Sequence, residues 1–163
     1  MTGDPRDMAA VPPEPLGLSD ARLSDAMRSL QGAIDRFDVE AAQRLGLGRN
    51  DWRALRLLVE GGAQPPRAIG HALGLTSGSV TTLIDRLEAR GLVRRANDPA
   101  DRRALTVHAL PPARRAVGEA YAPLAAITDR IAQRLGQGRS EAAAKQLRDF
   151  ARLVEWARVS RPE

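Results

Sequence analysis

The stretch LGLTSGSVTTLIDRLEARGLVRRANDPADRRALTV, residues 73–107, decides the fold of this chain. Thr76 is a residue type that caps helix N-termini and Gly91 is one that ends helices, so a helix is predicted between them. Two short strands, residues 92–96 and 104–109, are predicted to follow. The second strand alternates Leu105, Val107 and Ala109 with Thr106 and His108. The Asp, Pro and Arg residues between the strands predict a basic turn, so this half of the stretch is a hairpin.

The helix after Thr76 has an apolar and a polar face. The apolar positions recur at the spacing of a helix that packs one side on a core, and they are Val80, Leu83, Ile84 and Leu87. The other side carries small or charged residues: Ser77, Gly78, Thr81, Thr82, Asp85 and Arg86. This pattern predicts a helix that leaves a polar leading edge exposed.

Two further helices are predicted before this stretch. Asn50 is suited to cap the first, which stops at Gly61-Gly62. The second is short, follows Pro65-Pro66 and ends at Gly74. Its expected buried residues are Ile69, Ala72 and Leu73. A short helix, a glycine turn, a second helix and a hairpin form a winged helix-turn-helix, which we assign to residues 48–110.

Long amphipathic helices flank this lobe, so the fold class is mainly α with a small β-hairpin. The first stripe runs from Leu23 to Leu45. A second helix follows Pro111-Pro112, bends at Pro123 and is expected to turn these residues inward: Val117, Tyr121, Leu124, Ile127, Ile131 and Leu135. Gly136-Gln137-Gly138 breaks the pattern, and Ser140 is expected to cap a last helix with Leu147, Phe150, Val154 and Ala157 on its stripe. Because a monomer rarely exposes such stripes, residues 18–47 and 111–163 are predicted to form a homodimer.

Composition excludes several functions. The chain has 163 residues, a net charge of +5 and no cysteine, which excludes disulfides, thiolate zinc sites and thiol redox switching. No phosphate-binding glycine loop, paired carboxylates or histidine cluster is present, so neither an enzyme nor a cofactor is predicted. His71 and His108 are isolated, so no metal site is expected. Residues 1–17 lack the apolar core of a signal peptide or membrane anchor, which predicts a disordered leader on a soluble, cytoplasmic protein.

Almost all the basic residues are arginine, whose planar fork of donors suits phosphate and guanine edges. Genome composition also accounts for such a bias, so position matters more than number. In a helix-turn-helix the second helix presents its N-terminal residues to base edges in the major groove. The candidate DNA contacts are Ser77, Ser79, Thr81, Thr82, Arg86, Arg94, Arg102 and Arg103.

Two alternatives stay open on these residues alone. Small polar residues on a helix are often only solvated, and the Asp/Arg turn also suits a surface turn with an exposed ion pair. A helical interaction dimer that does not bind DNA would share the long helices, although it would not need arginines at a hairpin tip.

Residues 75–95 and 98–104 resemble the MarR family of multiple-antibiotic-resistance-type regulators, and the likeness extends from Leu18 to about Val159. The resemblance implies a homodimer whose first and last helices intertwine and which binds a pseudo-palindromic operator in double-stranded DNA. It implies that Arg102 or Arg103 enters the minor groove while Asp98 or Asp101 holds the arginine. The chain departs from the family at Ala109-Leu110, where Leu-Thr is common, and at Gly78, where a polar residue is frequent.

The resemblance also implies a small aromatic or phenolic effector, bound between the dimer helices and the DNA-binding lobe. Trp52 and Arg56 are the candidate pocket residues, although a lone tryptophan at this position also suits a core. The implied function is a transcriptional repressor that an effector releases from its operator. The sign of regulation rests on the resemblance alone, so an activator is the alternative.

Overall fold

The computed structural model describes residues 21–97 and 105–159. These ranges hold, in chain order, α1 (Ala21–Arg44), α2 (Arg49–Gly61), α3 (Pro66–Leu73), α4 (Ser77–Ala89), β1 (Val93–Asn97), β2 (Leu105–Ala109), α5 (Pro111–Leu135) and α6 (Gln137–Val159). The chain forms two compact units that divide between Trp52 and Arg53. The predicted leader at residues 1–17 and the tip of the hairpin lie outside the described residues.

The first unit contains α1 and the start of α2. After α1, Gly46 adopts φ 61°, and Leu47 N donates to Ala42 O at 2.8 Å, which closes the turn. Trp52 N then donates to Gly48 O at 2.9 Å, so α2 begins at Arg49. The predicted cap at Asn50 is wrong, because the chain has already turned into the helix before it reaches that residue.

In the second unit, α3 and α4 begin and end where the sequence predicts. Pro65 precedes α3, Gly74 ends it with φ 67°, and Thr76 caps α4. The expected burial of α3 is wrong in part, because Ala72 is exposed and Leu73 is half-buried. A Cβ at the buried Gly70 would lie 3.1 Å from Val80 Cγ2, so α3 packs on α4 through the side that carries Gly70, and Ala72 lies away from this contact.

The hairpin pairs β1 and β2 antiparallel in a register that runs from Val93 opposite Ala109 to Asn97 opposite Leu105. Gln64 extends this sheet: Gln64 N donates to Val107 O at 3.1 Å and Val107 N donates to Gln64 O at 2.8 Å. The predicted alternation is wrong at the start of β2, where Leu105 is 40% exposed and Thr106 is buried. Thr106 Oγ1 donates to Ala96 O at 3.2 Å, so the buried hydroxyl is satisfied.

The long helices α5 and α6 pack against each other. α5 continues through Pro123, and α6 begins at Gln137 directly after Gly136. The predicted cap at Ser140 is wrong, because Ser140 N donates to Gly136 O at 3.0 Å within the first turn of α6. No helix of the described residues is long and apolar enough to cross a membrane.

The apolar stripes of the long helices lie largely on the surface of the single chain. Val117 is buried and Tyr121 and Leu124 are half-buried, as expected of inward residues. Ile127, Ile131 and Leu135 are exposed, so their predicted inward position is wrong within one chain. The exposed large apolar residues of the other long helices include Leu23, Leu30 and Ile34 on α1, and Leu147, Phe150, Leu153, Val154 and Trp156 on α6. On α5 the exposed residues continue the stripe that begins at the buried Val117, so the stripe is covered at its start and uncovered further along the helix.

Candidate nucleic-acid interface

The N-terminal end of α4 is exposed and polar. Thr76 Oγ1 accepts from Ser79 N at 3.4 Å, and the hydroxyls of Thr76 and Ser79 lie 2.9 Å apart. Ser79, a candidate contact, therefore also takes part in the cap. The four buried apolar residues of α4 lie on the opposite face, as predicted.

Thr81 and Thr82 lie one turn further along the exposed face. Thr81 Oγ1 donates to Ser77 O and Thr82 Oγ1 donates to Gly78 O, each at 3.1 Å. Each hydroxyl is thus bonded to a carbonyl of the preceding turn. Both threonines stay exposed.

A cleft of about 340 Å³ lies at the start of α4. α3 lines it with Arg67 and His71, and α4 lines it with Ser77 and Thr81. The positive end of the α4 dipole and the Arg67 guanidinium both favour an anion here, such as a phosphate of a nucleic-acid backbone. The sequence analysis did not place Arg67 or His71 among the candidate DNA contacts, because α3 carries no motif that marks its exposed side.

Arg95 joins the hairpin to α4. Its backbone N–H donates to Glu88 Oε1 at 2.9 Å, and its guanidinium pairs with the other carboxylate oxygen of Glu88. The same guanidinium donates to Asp85 Oδ1 at 2.5 Å and to Thr81 O at 3.4 Å. The Arg95 side chain of β1 is therefore bonded to three residues of α4, which are Thr81, Asp85 and Glu88.

The contacts of Arg95 favour the charged forms of Glu88 and of Arg95 itself. The backbone hydrogen bond from Arg95 lowers the pKa of Glu88 below its ordinary value, and the hydrogen bond to Asp85 raises the pKa of Arg95. The sequence interpretation missed Arg95 as a functional residue. The sequence feature that could have indicated this contact is Glu88, seven residues before Arg95 and on the other side of the turn at Gly91, where the chain adopts φ 66°.

Of the arginines predicted to contact DNA, two lie within the described residues and two lie outside them. Arg86 on α4 and Arg94 on β1 are exposed, and Arg94 lies opposite His108 in the hairpin register. The arginines at the hairpin tip, Arg102 and Arg103, and their expected supports, Asp98 and Asp101, lie outside the described residues. Their roles stay predictions.

The two candidate effector residues both have partners within their own units. Trp52 is 1% exposed, and its Nε1 donates to Asp38 Oδ1 at 3.1 Å, so its indole offers little open surface. Arg56 Cζ lies 4.9 Å from the centre of the Tyr121 ring, and Arg56 Nε donates to Glu60 Oε1 at 3.2 Å. The Arg56 and Tyr121 pair joins α2 to α5 by a cation–π contact. Within residues 21–97 and 105–159, no three His, Cys, Asp or Glu side chains are grouped to hold a metal ion.

A short helix, a glycine turn, an exposed second helix and a hairpin extended by Gln64 define a winged helix-turn-helix protein. Residues 45–104 match the sequence model of the MarR family.

The chain is similar to an uncharacterised HTH-type transcriptional regulator of Bacillus subtilis, YcgE, with 38% identity over 92 residues. This match covers 56% of the chain and 60% of YcgE. The chain spans about half to three fifths of the first curated relatives that it matches.

Solved structures share the fold over most of their length. A MepR mutant from a multidrug-resistant S. aureus clinical isolate has a TM-score of 0.68 and 16% identity, with 81% of this chain and 96% of that chain covered. A second MepR mutant, bound to an oligodeoxyribonucleotide, has a TM-score of 0.55 and 16% identity, with 81% and 97% covered. NadR in complex with 4-hydroxyphenylacetate has a TM-score of 0.58 and 22% identity, with 86% and 98% covered.

Proposed function

We propose that this protein is a DNA-binding transcriptional regulator, with α4 as its recognition helix and the hairpin as its wing. The observation that carries the proposal is the attachment of β1 to α4 through Arg95, which joins an exposed polar helix face and an arginine-bearing hairpin in one unit. The curated relatives named HTH-type transcriptional regulators and the MepR structure with an oligodeoxyribonucleotide support it. This is a binding role and requires no catalytic group.

The proposed interface sorts into two kinds of contact. Short side chains at the start of α4, with Ser77, Thr81 and Thr82 foremost, meet base edges in the major groove. Arg86, Arg94 and the hairpin-tip arginines Arg102 and Arg103 meet phosphates and the minor groove on either side. Base contacts set the sequence preference, whereas phosphate contacts set the register and the dependence on salt.

We further propose that the regulator acts as a homodimer. Large apolar residues of α1, of α5 and of α6 are exposed in the single chain, and stretches of exposed apolar area mark interaction surfaces. A second copy would cover these stripes and present two recognition helices to the half-sites of a pseudo-palindrome. Residues 18–47 and 111–163 would form this interface, and residues 48–110 would bind DNA.

The finer proposal is a repressor that a small aromatic or phenolic effector releases from its operator. The NadR complex with 4-hydroxyphenylacetate supports this effector class, and Arg56 beside Tyr121 is a cationic and aromatic pair suited to such an anion. An effector acts only through its different affinity for two dimer shapes, one of which fits successive major grooves. A cytoplasmic location, expected of such a regulator, stays a prediction.

The deciding experiment is footprinting of the purified full chain on the DNA upstream of its own coding sequence. We expect a protected segment with two related half-sites whose centres lie about 10 base pairs, or a multiple of that, apart. The matched control is the Arg94→Ala, Arg102→Ala, Arg103→Ala variant, which keeps α4 and should protect the DNA more weakly. A folded chain that binds neither this region nor a random duplex library at low salt would overturn the proposal in favour of a helical interaction protein.

A further inference from the structure

Thr81 and Thr82 lie on the exposed face of α4, and each uses its hydroxyl proton in a hydrogen bond within the helix. Each side chain donates to the carbonyl four residues earlier at 3.1 Å. A hydroxyl has a single proton, so neither side chain retains a donor for a base. What remains on each is an oxygen that accepts hydrogen bonds and a methyl group.

The base pairs differ in what they present to such a surface. Guanine presents two acceptors in the major groove, N7 and O6, and these require donors. An A·T pair presents the adenine amino group, which is a donor, and the 5-methyl group of thymine. A G·C pair also has an amino group, on cytosine, but has no methyl group. An acceptor together with a methyl group therefore matches an A·T pair and mismatches guanine.

The helix leaves room for close approach at this point. Side chains on a helix lean toward its N-terminus, so Thr82 lies over the turn that contains Gly78. A Cβ built at Gly78 would meet no heavy atom within 4 Å beyond its chain neighbours and the backbone of its own helix, so the space beside Thr82 is open among the described residues. Arg95 holds the same turn from the hairpin side through its contact with Thr81 O, at 3.4 Å.

Resting on the proposed DNA-binding function, we infer that Thr81 and Thr82 determine specificity by reading A·T pairs, and that they do so through the thymine methyl group. The absence of a side chain at Gly78 then lets the major groove approach α4 closely enough for the threonine and thymine methyl groups to touch. The operator half-site contains thymine at the positions that face these two residues.

The test uses DNA selected by the full chain from a duplex library with a randomised central segment. A selected duplex is made with thymine and, at one position at a time, with uracil, which pairs identically and lacks only the methyl group. We expect uracil to weaken binding by about 3- to 5-fold at the positions that face α4, the value of burying one methyl-sized group. Fluorescence anisotropy measures the ratio.

Matched variants separate the methyl group from the hydroxyl. Thr81→Ser and Thr82→Ser keep the hydroxyl and lose the methyl group, so they should bind thymine and uracil duplexes equally. Thr81→Val and Thr82→Val keep a methyl group and should retain the preference for thymine. Thr128→Ser on α5 is the control, because Thr128 Oγ1 makes the same bond to a carbonyl four residues earlier, Leu124 O, at 2.9 Å, and it should change nothing.

Two results would overturn this inference while the proposed function stands: equal affinity of the wild type for thymine and uracil at every selected position, or serine variants that keep the preference. If no duplex is selected at all, the proposed function itself fails, and the inference fails with it.

Discussion

Arg95 binds Glu88 twice, once through its backbone N–H and once through its guanidinium. The backbone hydrogen bond fixes the position of β1 relative to α4, and the side-chain bond fixes the position of the guanidinium. A rotation of β1 on α4 would therefore break both bonds. The same guanidinium also donates hydrogen bonds to Asp85 and to Thr81 O. The angle between the hairpin and α4 is thus set by contacts within the protein itself.

The first prediction compares the two neighbouring arginines of β1. Arg95→Ala should lower the melting temperature by a few degrees and weaken binding to a selected duplex, because the hairpin loses its attachment to α4. Arg94→Ala should leave the melting temperature unchanged, because Arg94 is exposed. It should make the slope of log affinity against log salt shallower by about 1, as expected on loss of one phosphate contact. Thermal unfolding and salt titration check both, and identical behaviour of the two variants would contradict the assignment.

The second prediction concerns pH. The pKa of Glu88 is lowered from its ordinary value by the hydrogen bond from Arg95. A carboxylate with a depressed pKa in the folded chain adds stability above its unfolded-state pKa, about 4.3, and this stability is lost as pH falls through the folded value. The melting temperature of the wild type should therefore fall more steeply below about pH 4.3 than that of Glu88→Gln. Other carboxylates, including Asp149 beside Lys145, are common to both proteins and cancel. Parallel pH profiles would show that Glu88 is not held as described.

The third prediction uses two glycines that differ in backbone conformation. Gly78→Ala should stabilise the fold by up to about 1 kcal/mol, because a helical alanine is favoured over glycine and its Cβ has open space. Gly74→Ala should destabilise the fold by about 1–2 kcal/mol, because Gly74 adopts φ 67°. Chemical denaturation measures both changes. If Gly78→Ala also weakens binding to the selected duplex while the fold is stabilised, the open space beside Thr82 serves the interface. Equal changes of stability in the two variants would refute this account of the turn.

The fourth prediction tests the apolar stripes. Leu23→Glu with Leu147→Glu places two charges on side chains that are 59% and 54% exposed in the single chain. If a second copy covers these positions, the variant should sediment as a folded monomer, while the wild type sediments as a dimer. Leu105→Glu is the control, because Leu105 is 40% exposed on the hairpin and should leave the dimer intact. A wild type that scatters light as a monomer at low micromolar concentration would defeat the homodimer.

The fifth prediction concerns the hairpin tip. Replacing Arg102 and Arg103 with alanine should leave the dimer folded and weaken operator binding by about 1–3 kcal/mol, the scale of one good base-reading contact. The salt dependence should become shallower, because fewer counterions are released. Ser77→Ala, in contrast, should change sequence preference more than salt slope. Coincident titration curves for the wild type and the double variant would make the tip a solvated turn.

Much of the winged helix-turn-helix is determined by the sequence itself, for reasons that act over three or four residues. Thr76 caps α4 with a bond to Ser79, and Gly74 ends α3 in a left-handed conformation. The apolar spacing from Val80 to Leu87 selects the buried face of α4 by helix geometry alone. Such signals identify the winged helix-turn-helix.

Other features were decided only by the tertiary structure. Thr106, rather than Leu105, is buried in a strand that also pairs with Gln64, and a strand pattern cannot say which partner lies beside it. The caps expected at Asn50 and Ser140 were displaced because the preceding turns, at Gly46 and Gly136, set where each helix starts. The attachment of Arg95 to Glu88 depends on the path of the chain around Gly91. Local hydrogen bonds connect residues a few positions apart and can be predicted from sequence, whereas burial and ion pairing depend on which distant surface the fold brings alongside.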